Sequence, residues 1–379
     1  MSASGRGRSA LVTAAAALGV VVVAGLAGCS GEQPAATPSA RTPTATGPVT
    51  GSAAGSATSS AAGPGTSSGT GSASVTTSVP GGGWGHPALL EAQVVRIDVI
   101  ADAALAAAVQ KSDATAVGGR LVGPARSLLA ADLVIAAGRK SAAPTPTRLA
   151  ASRVVVPEAG PWPRWFITAG NAPARPTPVL RVLVSPTARE PYGVWAELAL
   201  LPGATLPQTI AGERGAEVLT ADASGLVMTP ANVALRYADL LNRGSASAFA
   251  AAFAPDAFRT QLGERLAGDR KQIVSSAVAT ITSTHAPVTT STRAVRTADG
   301  GALVVAELHH SYLVTVEAGG GVVRPDAELA ALAGRSQFTR TLRREAVEVL
   351  AFTVPRAGGA NATVRLIAAV KGDVSATGS

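Results

Sequence analysis

The sequence predicts an α+β fold built as two tandem units, each with helices packed on a curved antiparallel sheet. Apolar residues recur at helical spacing over residues 89–138 and again over 230–266. After each of these stretches the period changes to two, in segments rich in Val, Thr and Ile. Glycine runs such as Gly300-Gly301, Gly319-Gly320-Gly321 and Gly358-Gly359 punctuate the second set of strands. Helices followed by a strand meander, twice over, place a helical layer against an antiparallel sheet in each unit. Ahead of them stand a leader, residues 1–28, and a linker, residues 29–86, so the folded units are expected at 87–223 and 224–379.

The leader has a basic head with Arg6 and Arg8 and an uncharged apolar run over residues 10–27, the layout of a secretory signal peptide. It ends in Leu26-Ala27-Gly28-Cys29, which resembles the lipobox of bacterial lipoproteins. The resemblance implies diacylglycerol on the Cys29 thiol, cleavage before it, and acylation, as by palmitate, of the new amino terminus. Two or more acyl chains hold a protein stably where one holds it only marginally. The chain is therefore expected on the outer face of the cell membrane, anchored by lipid. Cys29 is the single cysteine, so no disulfide closes within the chain and apolar burial must stabilise the fold.

Between Ser30 and Gly85 the residues are mostly Ser, Thr, Ala, Gly and Pro, with Glu32 and Arg41 the only charges. Such a segment has too little apolar surface to offset the entropy of ordering it. It reads as a disordered tether with an r.m.s. span of about 40 Å. Gly65-Thr66-Ser67-Ser68-Gly69 matches the G-x-S-x-G nucleophile pattern, but that motif needs a strand before it and a helix after it, and the composition supplies neither.

In the first unit a helix is expected over 89–109, a pause at Ser112-Asp113, and helical pieces through Val117 and Leu121 to Gly138. Strands are expected at 153–157, 164–169, 178–185 and 192–201, with a further piece near 216–220. In the second, Thr229 caps a helix opening on Pro230, carrying Val233, Tyr237, Leu240 and Leu241 on one face and stopping at Gly244. Ser245 caps a short helix with Phe249 and Phe253, and a third holds Phe258, Leu262 and Leu266. Strands follow at 281–297, 303–316, 345–354 and 361–371. An offset of 132 lays Val117 on Phe249, Leu121 on Phe253 and Ala125 on Ala257, and the shared order of elements points to an internal duplication.

The run Arg236-Tyr237-Ala238-Asp239-Leu240-Leu241-Asn242-Arg243-Gly244, followed by Phe249, Phe253, Ala254, Pro255 and Ala257, resembles the start of cystatin-like or nuclear-transport-factor-like cone domains. The resemblance implies a helical layer around a curved sheet with a pocket at its open end; it implies no activity, because such cones serve enzymes, binders and scaffolds alike. Residues 185–207, from Ser185-Pro186 through Tyr192-Gly193-Val194-Trp195 to Leu206-Pro207, resemble uncharacterised actinobacterial secreted proteins. An excess of arginine over the four lysines, Lys111, Lys140, Lys271 and Lys371, fits a GC-rich source of that kind.

Chemistry is sparse in this sequence. The formal charge of +8 favours anionic lipid headgroups or wall phosphates, but the arginines are scattered, and an extracytoplasmic address leaves no role for nucleic acid. Neighbouring His309 and His310 leave opposite faces of a strand, His310 with apolar Val304, Ala306, Leu308, Tyr312, Val314 and Val316, His309 with Glu307 and Ser311. No H-E-x-x-H or H-x-H spacing occurs, so neither a metal site nor a cofactor is expected. Aromatics are only 3% of the chain, and the densest group is Trp162-Pro163-Arg164-Trp165-Phe166, with Trp195 beyond it; alternation places Trp165 opposite Trp162 and Phe166, leaving one face for a ligand or partner. If residues 336–344 are helical, Arg340, Arg343 and Arg344 share a face that meets phosphate or acidic lipid.

The sequence thus predicts a non-catalytic lipoprotein of the cell envelope acting as a binding or scaffold module, toward an envelope protein or a small apolar or wall-derived ligand. Its expected contacts are Trp162, Trp165, Trp195, Tyr237, His310, Tyr312, Arg340, Arg343 and Arg344. The alternative is an enzyme running acid/base chemistry in a cone pocket, which requires Tyr237, Asp239, His310 and Tyr312 to converge in one concavity.

Overall fold

The computed structural model describes residues 85–379, save 174, 210–213 and 361. The expected leader, Cys29 and the linker up to residue 84 lie outside the described residues. Helix α1 (Glu91–Gln110) buries Val94, Ala101, Leu105 and Ala108, the helical spacing that predicts it. A 3-10 turn (Gly118–Arg120) leads into α2 (Gly123–Arg139), which has proline in its first turn. Four strands follow as a meander: β1 (Ala150–Val155), β2 (Arg164–Asn171), β3 (Val179–Ser185) and β4 (Gly193–Leu200).

The second half repeats that order. Thr229 and Pro230 open α3 (Pro230–Arg243), and Gly244 ends it at φ +56°, a conformation that suits glycine. After a 3-10 turn (Ala250–Ala252) come α4 (Ala257–Val274), β5 (Ala277–Pro287), the short β6 (Arg293–Arg296) and the long β7 (Ala302–Gly321). Helix α5 (Ala327–Ala333), β8 (Thr341–Val354) and β9 (Arg365–Gly378) complete the chain. All strand pairs between these elements are antiparallel, as the predicted α+β class requires.

The strands form one nine-stranded sheet in the order β1-β2-β3-β4-β9-β8-β7-β5, with β6 also on β7. Residues 87–223 and 224–379 each contribute one meander, and the two meet last strand to last strand, Ala199 opposite Ala369 and Leu200 opposite Ala368. The sheet then closes on itself. Residues 215–219 stitch the end of β1 to β6: Glu158 N–H donates to Ala216 O (2.8 Å), Leu219 N–H to Ala294 O (2.9 Å) and Arg296 N–H to Glu217 O (2.9 Å). This is the strand-like piece expected near 216–220. Consistently, the Arg293 guanidinium on β6 lies 4.2 Å from the centre of the Trp195 ring on β4, although β9, β8 and β7 separate those strands in the sheet.

Inside the ring Trp165, Ile167, Val182, Trp195, Val305 and Val349 share one core. On the other face of the sheet, α1 and Leu121 cover Phe166, Leu183 and Val194, while α3 and α4 cover Leu308, Leu350 and Phe352 with Tyr237 and Phe258. The halves correspond in detail. Leu121 makes a parallel bridge to Val194, beside the first residue of β4, and Phe253 makes one to Val364, just before β9. Val122 N–H donates to Val194 O and Ala254 N–H to Val364 O, each at 2.9 Å. Leu121 and Phe253, Val122 and Ala254, and the two 3-10 turns before them stand at the offset of 132 taken from the sequence.

Three expected elements differ. The short helix with Phe249 and Phe253 is instead two 3-10 turns (Gly244–Ala246 and Ala250–Ala252), because the Ser247 hydroxyl between them takes the Phe249 N–H (3.1 Å) and competes with helical bonding. The strand expected over 281–297 splits at Pro287, which ends β5, and resumes as β6. Residues 341–344 are strand, not helix, held between β7 and β9 by Arg344 opposite Tyr312 and Ala376. Arg343 and Arg344 therefore leave opposite faces. Among the described residues no helix is long and apolar enough to cross a membrane.

Candidate functional site

Where α3 and α4 cover the sheet, four neighbouring strands place polar side chains on the same covered face. Ser283 and His285 come from β5, His310 from β7, Glu348 from β8 and Lys371 from β9, and His285 stands directly opposite His310. His310 and Glu348 are fully buried, while the Lys371 side chain keeps 15% of its exposure. The five form one hydrogen-bonded chain. Lys371 Nζ donates to Glu348 Oε1 (2.6 Å) and to His310 Nδ1 (2.8 Å). His285 Nδ1 lies 3.0 Å from Glu348 Oε2, and the two imidazoles stack at 4.1 Å with planes 2° apart.

These contacts fix protonation. An ammonium donor at Nδ1 leaves the His310 proton on Nε2, from which it is donated to Ser283 Oγ (2.9 Å). Burial, and after it the charge of Lys371, pushes His310 down to about 2, so the ring is neutral. Burial raises Glu348, but the His285 hydrogen bond and the Lys371 charge outweigh it and bring the carboxyl down to about 2. Burial lowers Lys371 against the pull of Glu348.

The arrangement suits a structural charge relay better than chemistry. Ser283 accepts from His310, so His310 has no free nitrogen to take the serine proton, as a nucleophile pair demands. The ligand-type atoms of His285, His310 and Glu348 lie within 4.8 Å of one another, the one group of this kind among the described residues. Yet parallel ring planes point nitrogen lone pairs alongside each other, where a tetrahedral metal needs them to converge. Lys371 already occupies the cation position between Glu348 and His310.

The belt continues through charge pairs toward α4. Arg344 is buried, 3.0 Å from Asp269 and 3.7 Å from Asp373, and Arg265 reaches Asp373 at 3.3 Å. The Arg344 guanidinium lies 4.4 Å over the ring of Tyr312, whose buried hydroxyl has no hydrogen-bond partner among the described residues. The first half holds a separate knot. Fully buried Arg181 on β3 pairs with Asp98 (3.2 Å) and Asp102 (2.7 Å) of α1 and with Glu197 of β4 (2.8 Å). Burial raises the Asp98 carboxyl in spite of Arg181.

A cleft of about 670 Å³ opens elsewhere, at the ends of β8 and β9. The loop at 201–207 and the turn at 254–257 wall it, and Thr205, Asp299, Thr353, Arg356, Thr363 and Arg365 supply its polar lining. No member of the belt and none of the contacts expected from the sequence lines it.

Those expected contacts are dispersed. Trp165 and Trp195 are 7% and 6% exposed in the core, and Phe166 is buried on the other face, so β2 offers no free aromatic side; it is covered on both. Trp162 precedes the strand, is 36% exposed and carries the Arg164 guanidinium 4.8 Å from its ring. Tyr237 is buried and donates to Asp256 at 3.1 Å, while Asp239 accepts from Ser247 (2.6 Å). His310 and Tyr312 neighbour each other with ring centres 6.3 Å apart. Arg340 is exposed, and Arg343 pairs on the surface with Glu345 at 3.2 Å. None of the four residues of the enzymatic alternative lines the cleft at the ends of β8 and β9. His285, Glu348 and Lys371 were missed; a glutamate amid Ala346, Leu350 and Phe352 in an alternating strand is the signal that finds them.

The family described as Domain of unknown function (DUF8094) matches residues 93–378. A protein from Streptomyces avermitilis, named only as an uncharacterized lipoprotein, is 27% identical over 242 residues, 62% of this chain and 68% of that one. This agrees with the resemblance to actinobacterial lipoproteins read at Cys29 and at residues 185–207. No solved structure matches. With three quarters of its length matched, the chain belongs to the DUF8094 family and is similar to an uncharacterised lipoprotein of an actinobacterium.

Proposed function

We propose that this protein is a non-catalytic binding module held on the outer face of the cell membrane by acyl chains on Cys29. The cleft at the ends of β8 and β9 carries the proposal. Its volume of about 670 Å³ is that of a small-molecule site, and threonine hydroxyls with Arg356 and Arg365 suit a polar, wall-derived ligand or a short envelope segment. His285, His310, Glu348 and Lys371, in contrast, are locked into the belt beneath α3 and α4 and serve packing. An anchor concentrates a binder at its surface without any new contact.

The test is in-cell cross-linking with mass spectrometry on three forms: the natural chain, Cys29→Ala, and Thr205→Trp, which fills the cleft from an exposed loop position. A ligand or partner captured by the first and lost from the third supports the cleft. Capture that survives Thr205→Trp refutes it, and membrane retention of Cys29→Ala refutes the anchor.

A further inference from the structure

Strand β5 is the last strand of the sheet and pairs on one side only, with β7. Its outward backbone groups belong to alternate residues. At His285 both are satisfied by one side chain, since Asn242 Nδ2 donates to His285 O (2.9 Å) and Asn242 Oδ1 accepts the His285 N–H (2.7 Å). An amide side chain there imitates a neighbouring strand. Two, four and six residues back, Ser283, Ile281 and Ala279 present the same outward N–H and C=O, and among the described residues no hydrogen bond reaches them.

The other strand at the end of the order, β1, is joined at its end to residues 215–219 and carries Arg153 and a register shift between Ala151 and Arg153, devices that keep a foreign strand off. Residues 277–284 of β5, Ala-Val-Ala-Thr-Ile-Thr-Ser-Thr, contain neither charge nor proline. On the face away from α3 and α4, Val278 is 59% exposed and Thr280, Thr282 and Thr284 are exposed.

We infer that β5 pairs edge to edge with β5 of a second copy of this chain, antiparallel about a twofold axis at Ile281. The free groups are self-complementary in that register. Ile281 faces Ile281 of the second copy in a hydrogen-bonded pair, and Ala279 faces Ser283, so every free N–H meets a C=O. Thr280 then stands opposite Thr282, and Val278 opposite Thr284, pairs that are favourable across antiparallel strands. With no charge in the stretch, the twofold brings no like charges together. The two sheets become one across the dimer, and tethering on one membrane raises the effective concentration of the copies.

The decisive experiment uses the full chain. In detergent, light scattering on the natural chain is expected to give twice the chain mass, and Thr282→Lys the single mass with an unchanged melting midpoint, because residue 282 is exposed and its backbone bonds point inward to β7. In cell envelopes, Thr280→Cys/Thr282→Cys is expected to form a disulfide-linked dimer while neither single variant does. A natural chain of single mass, a Thr282→Lys form that keeps twice the mass, or cross-links to other proteins in place of the dimer each overturns the pairing.

Discussion

Lys371→Met tests whether the buried belt is an ionic structure, because it removes the only ammonium on Glu348 and leaves that carboxylate at zero exposure with His285 alone. Breaking one side of a buried pair costs about 3–5 kcal/mol. Glu348 itself points the same way: its carboxyl falls from 4.5 to about 2 on folding, roughly 3 kcal/mol that remains after burial has opposed the pull of His285 and Lys371. At about 2 °C per kcal/mol for a domain of this size, the melting midpoint should drop by roughly 5 °C or more at pH 7. Glu348 and His310 both hold fewer protons folded than unfolded, so their stabilisation is complete above pH 6.5 and is lost as pH falls toward about 2. The gap between natural and Lys371→Met proteins should therefore narrow in acid, as protonation removes the Glu348 charge that Lys371 balances. Urea unfolding followed by circular dichroism at pH 7 and pH 4 measures both. A Lys371→Met protein within about 1 kcal/mol of the natural one at pH 7, or a Lys371→Met/Glu348→Gln protein no more stable than the single variant, refutes the ionic account.

Arg181→Met leaves Asp98, Asp102 and Glu197 facing one another without a cation, so urea unfolding should show a loss of about 3 kcal/mol at pH 7 that shrinks in acid, because burial already raises the Asp98 carboxyl and favours its neutral form. All three tyrosines are raised by burial, so an alkaline titration should develop no tyrosinate absorbance at the ordinary midpoint near pH ~10 while the protein stays folded. Tyr237→Phe should cost only about 1 kcal/mol by calorimetry, because Asp256 keeps Arg259 at 2.7 Å. Gly123→Ala meets both a positive φ of +51° and the Trp195 ring, 2.7 Å from the new Cβ, so a loss of about 2 kcal/mol or more and altered tryptophan fluorescence are expected.

The helix layer and most strands were legible because periodicity and turn residues report local geometry. Thr229, Pro230 and Gly244 bound α3 by their own backbone preferences, and strands expected at 164–169, 178–185 and 192–201 form within a few residues of those limits. What one segment cannot announce is its partner. The last-strand pairing of β4 with β9, and the stitching of β1 to β6 through residues 215–219, are long-range contacts with no local signature. The arginine group was misread for a related reason: spacing alone fits Arg340, Arg343 and Arg344 to a helix face, while pairing with β7 and β9 turns Arg344 inward to Asp269 and Asp373. Glu348 and Lys371 stand in sequence as ordinary charges, and their meaning appears only when the register places them opposite each other.

That register explains why a buried ionic belt is kept. Along β7 residues 302–308 are buried on both faces, Leu303 and Val305 toward the ring interior, Val304 and Leu308 toward α3 and α4. A slip of β7 by one residue exchanges one apolar set for another, so hydrophobic patterning over this stretch holds the register only weakly. The belt supplies the missing constraint. The same slip would put His310 on the other side of the sheet, leave Lys371 with Glu348 alone and strand Ser283, each loss that of a buried polar partner worth about 1–3 kcal/mol. Apolar replacement of the whole belt is expected to preserve stability, since packed hydrophobic groups often match a buried ion pair. Such a variant would lose the penalty that separates one alignment of β5, β7, β8 and β9 from its neighbours, and with it the register in which Asn242 meets the His285 backbone while the backbone groups of Ser283, Ile281 and Ala279 point out along the edge.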